Sequence, residues 1–394
     1  MQTTDGFAGL RCLDCDGPFD AEETTHRCPD CGGALEPVYE HEALENAHDA
    51  LQNGSLDGDG LGRFAAVLPF EAEAVPTLSE GNTPPVSCPE LAETVGVEQV
   101  IVKDEARNAT GGMVDRELAL AVTAASQHGA STVALPTTGN AGQAAAAYAS
   151  RAGLDSESFV PSRTTFANKA MINVHGGEMN VVGGRYSDAL ESFEDRDTGK
   201  YSLAPFDTPY RHEGAKTIAY ELFDQLETVP DAIVHPTGHG TGLVGLYRGF
   251  CELSETGAIE TLPRLYVAQP EGCAPLVEAI QNGFTTPEPV ERPDTISGPL
   301  EIPDPAGGPY VLEAVRATEG GAVAVPDNEL LEGAVSLAQA GVPTSATAGA
   351  AIGGLKTLAA GDEFDRSTSV VLINPTTANR ESDILRSHLM SKGI

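Results

Sequence analysis

The 394-residue chain carries 58 acidic and 23 basic side chains, a formal net charge of −35, with no tryptophan and only six lysines. Such a charge balance repels phosphate, so nucleic acid and anionic membrane are excluded as expected partners. The acids are spread along the whole chain rather than gathered in a tail, which points to a salt-rich cytoplasm that screens the self-repulsion. A chain of this length is expected to form two or three domains.

The first residues, Met1 to Gly9, are polar and acidic and show no signal-peptide pattern. No apolar run approaches membrane-spanning length, so a cytoplasmic protein is expected. Cys12-x-x-Cys15 and Cys28-x-x-Cys31 follow, separated by twelve residues. Two knuckles at this spacing close four thiolates around one zinc ion, and four thiolates leave no open position for catalysis. Residues 1–38 are therefore predicted to form a zinc ribbon with a structural metal. His26 is a further candidate ligand. Asp14, Asp16, Asp20, Glu22, Glu23 and Asp30 oppose only Arg11 and Arg27 here, which disfavours phosphate binding by the ribbon.

Residues 39–75 read as a transition, with a helical pattern at 42–50 and a Gly/Asp-rich linker at 53–62. Beyond it, apolar runs predict strands at 100–102, 132–135, 158–160, 179–182, 232–234, 264–268, 322–325 and 369–373. Helical patterns fall at 115–128, 141–152, 213–226, 241–254, 273–281, 327–339 and 348–360. This alternation implies an α/β protein with parallel sheets covered by helices, and the length suits two sheets better than one. Ligand sites in such folds lie beyond the carboxyl ends of strands.

Two strand-to-helix turns stand out. Thr137-Thr138-Gly139-Asn140-Ala141-Gly142 brings backbone and an asparagine to a helix N-terminus, which favours an anionic or oxygen-rich group. Pro236-Thr237-Gly238-His239-Gly240-Thr241-Gly242-Leu243 has three glycines and reads as a phosphate cradle, without the Lys-Ser/Thr pair of a Walker sequence.

These stretches carry a resemblance. Residues 103–116, K-D-E-A-R-N-A-T-G-G-M-V-D-R, resemble the cofactor-lysine segment of the threonine synthases. In that family, among the fold-type II pyridoxal phosphate (PLP) enzymes, the segment reads roughly K-x-E-x-x-N-P-T-G-S-F-K-D-R. The turn at 137–142 resembles the family's S-[ST]-G-N-[AS] loop, and the turn at 236–243 its P-T-G-G-G-T-G-L loop. Glu80-Gly81-Asn82-Thr83-Pro84, the 159–170 stretch and Pro209-Tyr210-Arg211-His212-Glu213-Gly214-Ala215-Lys216-Thr217 extend the likeness. Several threonine synthases resemble the N-terminal ribbon as well. The resemblance implies a fold-type II architecture of two parallel-sheet lobes over residues 76–394, with a small lobe at about 110–205. It implies that Asn140 contacts the cofactor's phenolic oxygen and that Gly238, His239, Gly240, Thr241 and Gly242 hold its phosphate.

The chain departs from the family pattern at several places. Val114 stands where the Schiff-base lysine belongs, and valine can neither hold the cofactor covalently nor move protons. Lys103, Lys169 and Lys216 match non-catalytic family positions. Ser345 and Ala346 occupy a Glu-Pro pair, and Asn374-Pro375 replaces a Thr-Gly whose hydroxyl faces the pyridine nitrogen, with Thr376 and Thr377 close behind. Gly112-Met113 replaces Ser-Phe, and Glu117 replaces a small residue. The expected protein is a catalytically degenerate threonine synthase homologue. It would hold a small phosphorylated ligand, PLP or a PLP adduct non-covalently, as a homo-oligomer or a mixed oligomer with an active paralogue. The alternatives are an active threonine synthase or related amino-acid lyase, and a non-catalytic protein partner or scaffold.

Overall fold

The computed structural model describes residues 1–54, 58–196 and 199–393. Residues 55–57 of the predicted linker lie outside the described residues. The chain divides into two compact units, each assembled from three stretches of sequence. The first comprises Met1–Asn82, Val114–Asp224 and Val244–Thr261, and the second Thr83–Met113, Gln225–Leu243 and Leu262–Ile394.

The second unit is built on a six-stranded sheet. Gly321–Val325, Arg264–Pro270, Ala232–Pro236, Ser369–Asn374 and Gln99–Asp104 run parallel in that order, and Pro85–Ser87 closes one edge antiparallel. The antiparallel edge was not foreseen from the alternating pattern. Parallel strands are buried on both faces and read as near-continuous apolar runs, as in Val100-Ile101-Val102 and Ile233-Val234. One face, carrying Val100, Val102, Val234, Ala268, Val323, Val370 and Leu372, packs with Ala350, Ala351, Ile352 and Leu355 of the helix Ala346–Ala360. Each fully buried aliphatic side chain contributes about 1.5–3 kcal/mol.

The first unit holds two smaller sheets. Glu178–Val182, Asp155–Pro161, Thr132–Pro136 and Tyr201–Ser202 form a parallel four-stranded sheet. Phe7–Cys12, Pro18–Phe19 and Leu35–Tyr39 form an antiparallel three-stranded sheet that carries the cysteine knuckles. The helix Val114–Gln127 is Ala/Leu-rich, and it places Asp115 and Glu117 in its first turn, where the helix dipole favours acids. From Asp115 to Ala125 every residue is buried. Charges in such a position need partners. Arg116 pairs with Glu221 through Nη1 and Nη2, both at 2.7 Å, and Glu117 accepts from Arg211 at 2.6 and 3.0 Å.

Candidate functional site

The turn after the strand Ala232–Pro236 is held from within the second unit. Thr237 donates to the His235 carbonyl at 2.9 Å, and Gln269 Nε2 donates to the Thr237 carbonyl at 3.1 Å. The Gly307 amide donates to the His239 carbonyl at 3.0 Å, and the Ala306 amide reaches His239 Nδ1 at 3.4 Å. Gly240 adopts φ +98°, and a Cβ there would overlap Val311 Cγ2. A Cβ on Gly242 would collide with Met113 Cε and lie 2.8 Å from His235 Nε2. Among the described residues, neither the Gly238 nor the Gly240 amide donates to a backbone carbonyl. Those amides precede the helix Thr241–Glu255, an arrangement that fits an anionic oxygen group such as phosphate. His235 is buried beneath the turn, and burial pushes its pKa down to about 4, so the ring is neutral.

In the first unit, Gly139 takes φ +128° and caps the helix Asn140–Ala152. The Gly139 and Gly142 amides donate to Thr137 Oγ1 at 2.9 and 3.2 Å. Asn140 is half-buried at the first helical position, and its Oδ1 accepts from Asn168 Nδ2 at 3.0 Å.

Val114 is the half-buried first residue of its helix and stays outside the apolar core. The segment leading to it is clamped by the chain's C-terminal region. Gly112 bridges Thr376 antiparallel, the Met113 amide donates to the Pro375 carbonyl at 2.9 Å, and the Thr377 amide donates to the Gly111 carbonyl at 2.9 Å. Arg380 donates to the Thr110 carbonyl and, at 3.0 Å, to its hydroxyl. A Cβ at Gly112 would stand 3.1 Å from Arg380 Nη1 and 3.2 Å from the Pro375 carbonyl, so a serine there would press on both.

Five of the six lysines are engaged by other groups of the fold. Lys103 is buried and donates to the Thr83 carbonyl at 2.7 Å and to Gln225 at 2.8 Å. Lys169 donates to the Ser162 carbonyl, Lys200 pairs with Glu157, Lys216 with Glu213 and Glu252, and Lys392 with Glu332. Lys356 is exposed on the helix Ala346–Ala360.

The other departures have local roles. Ser345 caps the helix Ala346–Ala360, its side chain accepting from the Ala348 amide at 3.2 Å. Asn374 donates to Asp104 at 2.7 Å. The Thr376 hydroxyl donates to the Gly111 carbonyl at 3.2 Å. Glu381, which the sequence did not single out, accepts from the Thr347 amide at 2.9 Å and its hydroxyl at 2.7 Å. Burial raises the Glu381 pKa.

The thiols of Cys12, Cys15, Cys28 and Cys31 lie within 4.8 Å of one another, with Cys12–Cys31 at 3.5 Å and Cys15–Cys28 at 3.7 Å. A zinc–sulfur bond of ~2.3 Å in a tetrahedron implies sulfur–sulfur separations of roughly 3.8 Å, so the four residues could hold that ion. His26 is not among them. Its Nδ1 meets the Thr25 hydroxyl at 2.7 Å and its Nε2 accepts from the Ser202 amide at 3.2 Å.

Among the described residues no helix is long and apolar enough to cross a membrane. The sequence profile described as "Pyridoxal-phosphate dependent enzyme" matches residues 76–376. Threonine synthase from Methanosarcina acetivorans is 32% identical over 368 residues, covering 92% of this chain and 90% of that one. Threonine synthase from Methanocaldococcus jannaschii is 31% identical over 381 residues, covering 95% and 93%. A fungal L-serine ammonia-lyase from Rhizomucor miehei shares the fold with a TM-score of 0.69 at 20% identity, over 79% of this chain and 98% of that one. The diaminopropionate ammonia lyase of Escherichia coli does so with a TM-score of 0.70 at 15% identity, over 89% and 92%. With its two parallel sheets, its glycine turn and this extent of likeness, the chain belongs to the pyridoxal-phosphate dependent enzymes, in their threonine synthase-like group.

Proposed function

We propose that this chain is a non-covalent binder of PLP, of a PLP–amino acid adduct or of a small phosphorylated metabolite, and that it has lost its group's lyase activity. The observation that carries this reading is a contrast. Glycine amides remain open at the turn before Thr241, whereas Val114 offers no amine and five of the six lysines are engaged elsewhere. Gly238, His239, Gly240, Thr241 and Gly242 would receive a phosphate, and Asn140 would offer its side-chain amide to a ligand oxygen. When bound, PLP supplies an electron-withdrawing ring for amino-acid chemistry; here no residue at position 114 can hold it covalently or return a proton. Titration of the purified protein with PLP in high salt, read by visible absorbance and followed by borohydride reduction, tests this. A spectral response without a labelled lysine supports the reading, and stable reduction onto one lysine overturns it.

The four cysteines are assigned to a structural zinc ion. One equivalent of zinc in the protein, with loss of ribbon structure on chelation, is expected. The likeness to threonine synthases over more than nine-tenths of the chain favours a second reading, an active enzyme. Phosphate release from O-phosphohomoserine by the PLP-supplemented protein would establish it. The charge of −35 supports a salt-rich cytoplasm as the setting.

A further inference from the structure

The helix Phe166–Val174 brings Asn168 against the turn that starts the helix Asn140–Ala152. A Cβ on Gly139 would stand 2.8 Å from Asn168 Cβ and Nδ2 and 2.9 Å from Thr164 Cγ2, so nothing fits between turn and helix. Asn168 is 3% exposed, and its Nδ2 donates to Asn140 Oδ1 at 3.0 Å. Among the described residues Asn168 Oδ1 has no hydrogen-bond partner. The opposite polarity, with both amides turned over, would bury the whole Asn168 NH2 without an acceptor. Orphaned buried N–H groups are rarer and costlier than an under-used carbonyl, so the observed polarity is the stable one. With Oδ1 of Asn140 occupied, its Nδ2 is the polar end left over, and among the described residues it donates to no protein acceptor.

We propose that Asn168 is a positioning residue that locks Asn140 as a hydrogen-bond donor, so that the loop selects a ligand presenting an anionic or acceptor oxygen there. The inference rests on Asn140 facing a ligand, as read above, and adds the residue that sets what Asn140 offers. Asn168→Asp keeps the shape and reverses the polarity. The carboxylate accepts from Asn140, whose amide turns and shows its carbonyl outward. Asn168→Leu keeps the volume and leaves Asn140 free to turn.

PLP is the probe, titrated by absorbance into the full-length, zinc-containing wild type and both variants, with circular dichroism confirming the fold. At mildly alkaline pH the Leu variant should bind several-fold more weakly than wild type. The Asp variant should be weaker by about ten-fold or more, the scale of a lost hydrogen bond to a charged group. On mild acidification the Asp carboxyl regains a proton to donate, so its deficit relative to wild type should shrink while that of the Leu variant stays constant. A merely structural role would make Leu at least as damaging as Asp, with no such pH dependence. If wild type binds and Asp is no weaker than Leu, the inference falls alone. If the Asp variant does not fold, the Leu variant decides: wild-type affinity there overturns the inference. Absence of any response in wild type overturns the functional reading and this inference with it.

Discussion

The turn Thr237–Gly242 and the segment Thr110–Val114 both belong to the most recognisable parts of the chain, and they have diverged in opposite ways. The turn is braced from behind by Gln269, Gly307 and Val311, and among the described residues its Gly238 and Gly240 amides donate to no backbone carbonyl. The segment before Val114 has spent its polar groups on the protein itself, through Pro375, Thr376, Thr377 and Arg380. Residues that differ from the family pattern behave like the segment. Ser345 caps a helix, Asn374 binds Asp104 and Glu117 binds Arg211. Side chains that depart from a family pattern can therefore keep the fold ordered when they find partners inside it, since a buried polar group left unpaired costs about 1–3 kcal/mol.

Breaking an internal partnership should give the largest effect. Glu117→Ala leaves Arg211 buried with, among the described residues, only the Leu203 carbonyl at 3.0 Å to accept from it, and should destabilise the fold by about 3–5 kcal/mol in denaturant unfolding. A value near zero would mean that Glu117 is not built into the structure. Next comes the ring beneath the turn. The His235 pKa falls from 6.5 to about 4 on folding, so the stability contributed by its neutral form is fully present above pH 6.5 and lost as pH falls through 4. This amounts to roughly 3 kcal/mol. His235→Asn should flatten that part of the acid-unfolding curve.

Gly240→Ala adds a Cβ at φ +98° against Val311. It should cost about 2–3 kcal/mol through strain and overpacking and abolish the PLP absorbance response; retained binding would show that the turn is not the cradle. The smallest effect is expected where the family's key residue is restored. Val114→Lys, at a half-buried helix start, should change stability by less than ~1 kcal/mol and yield no threonine formation from O-phosphohomoserine. Substantial turnover would mean that the rest of the site is intact.

Much of this was legible in the sequence, for physical reasons. Parallel strands must be apolar on both faces, so runs such as Ala232-Ile233-Val234 declared themselves, and the glycines of the turn answer to steric demands that no other residue meets. The cysteine quartet was readable from spacing. The helix Gly308–Ala317 was missed because Pro309 looks like a breaker, although proline is tolerated in a first turn. The helices Tyr186–Glu194 and Ser382–Ser391 were missed too, being only nine and ten residues long. Glu381 against Thr347 and Asn168 against Asn140 lay beyond sequence reading, because pairings 34 and 28 residues apart leave no period in the chain.

Met113 packs its thioether where a side chain at position 242 would go, one residue before the missing lysine. Positions 113 and 242 thus constrain each other, since Gly242 cannot grow while Met113 stays as it is, and a side chain at 112 would press on Arg380 and the Pro375 carbonyl. On the reading proposed above, covalent chemistry could be regained only in order: the amine at position 114 is a single change, whereas a serine at 112 needs Arg380 and the Pro375 carbonyl to give way and any new side chain at 113 has to be accommodated beside Gly242.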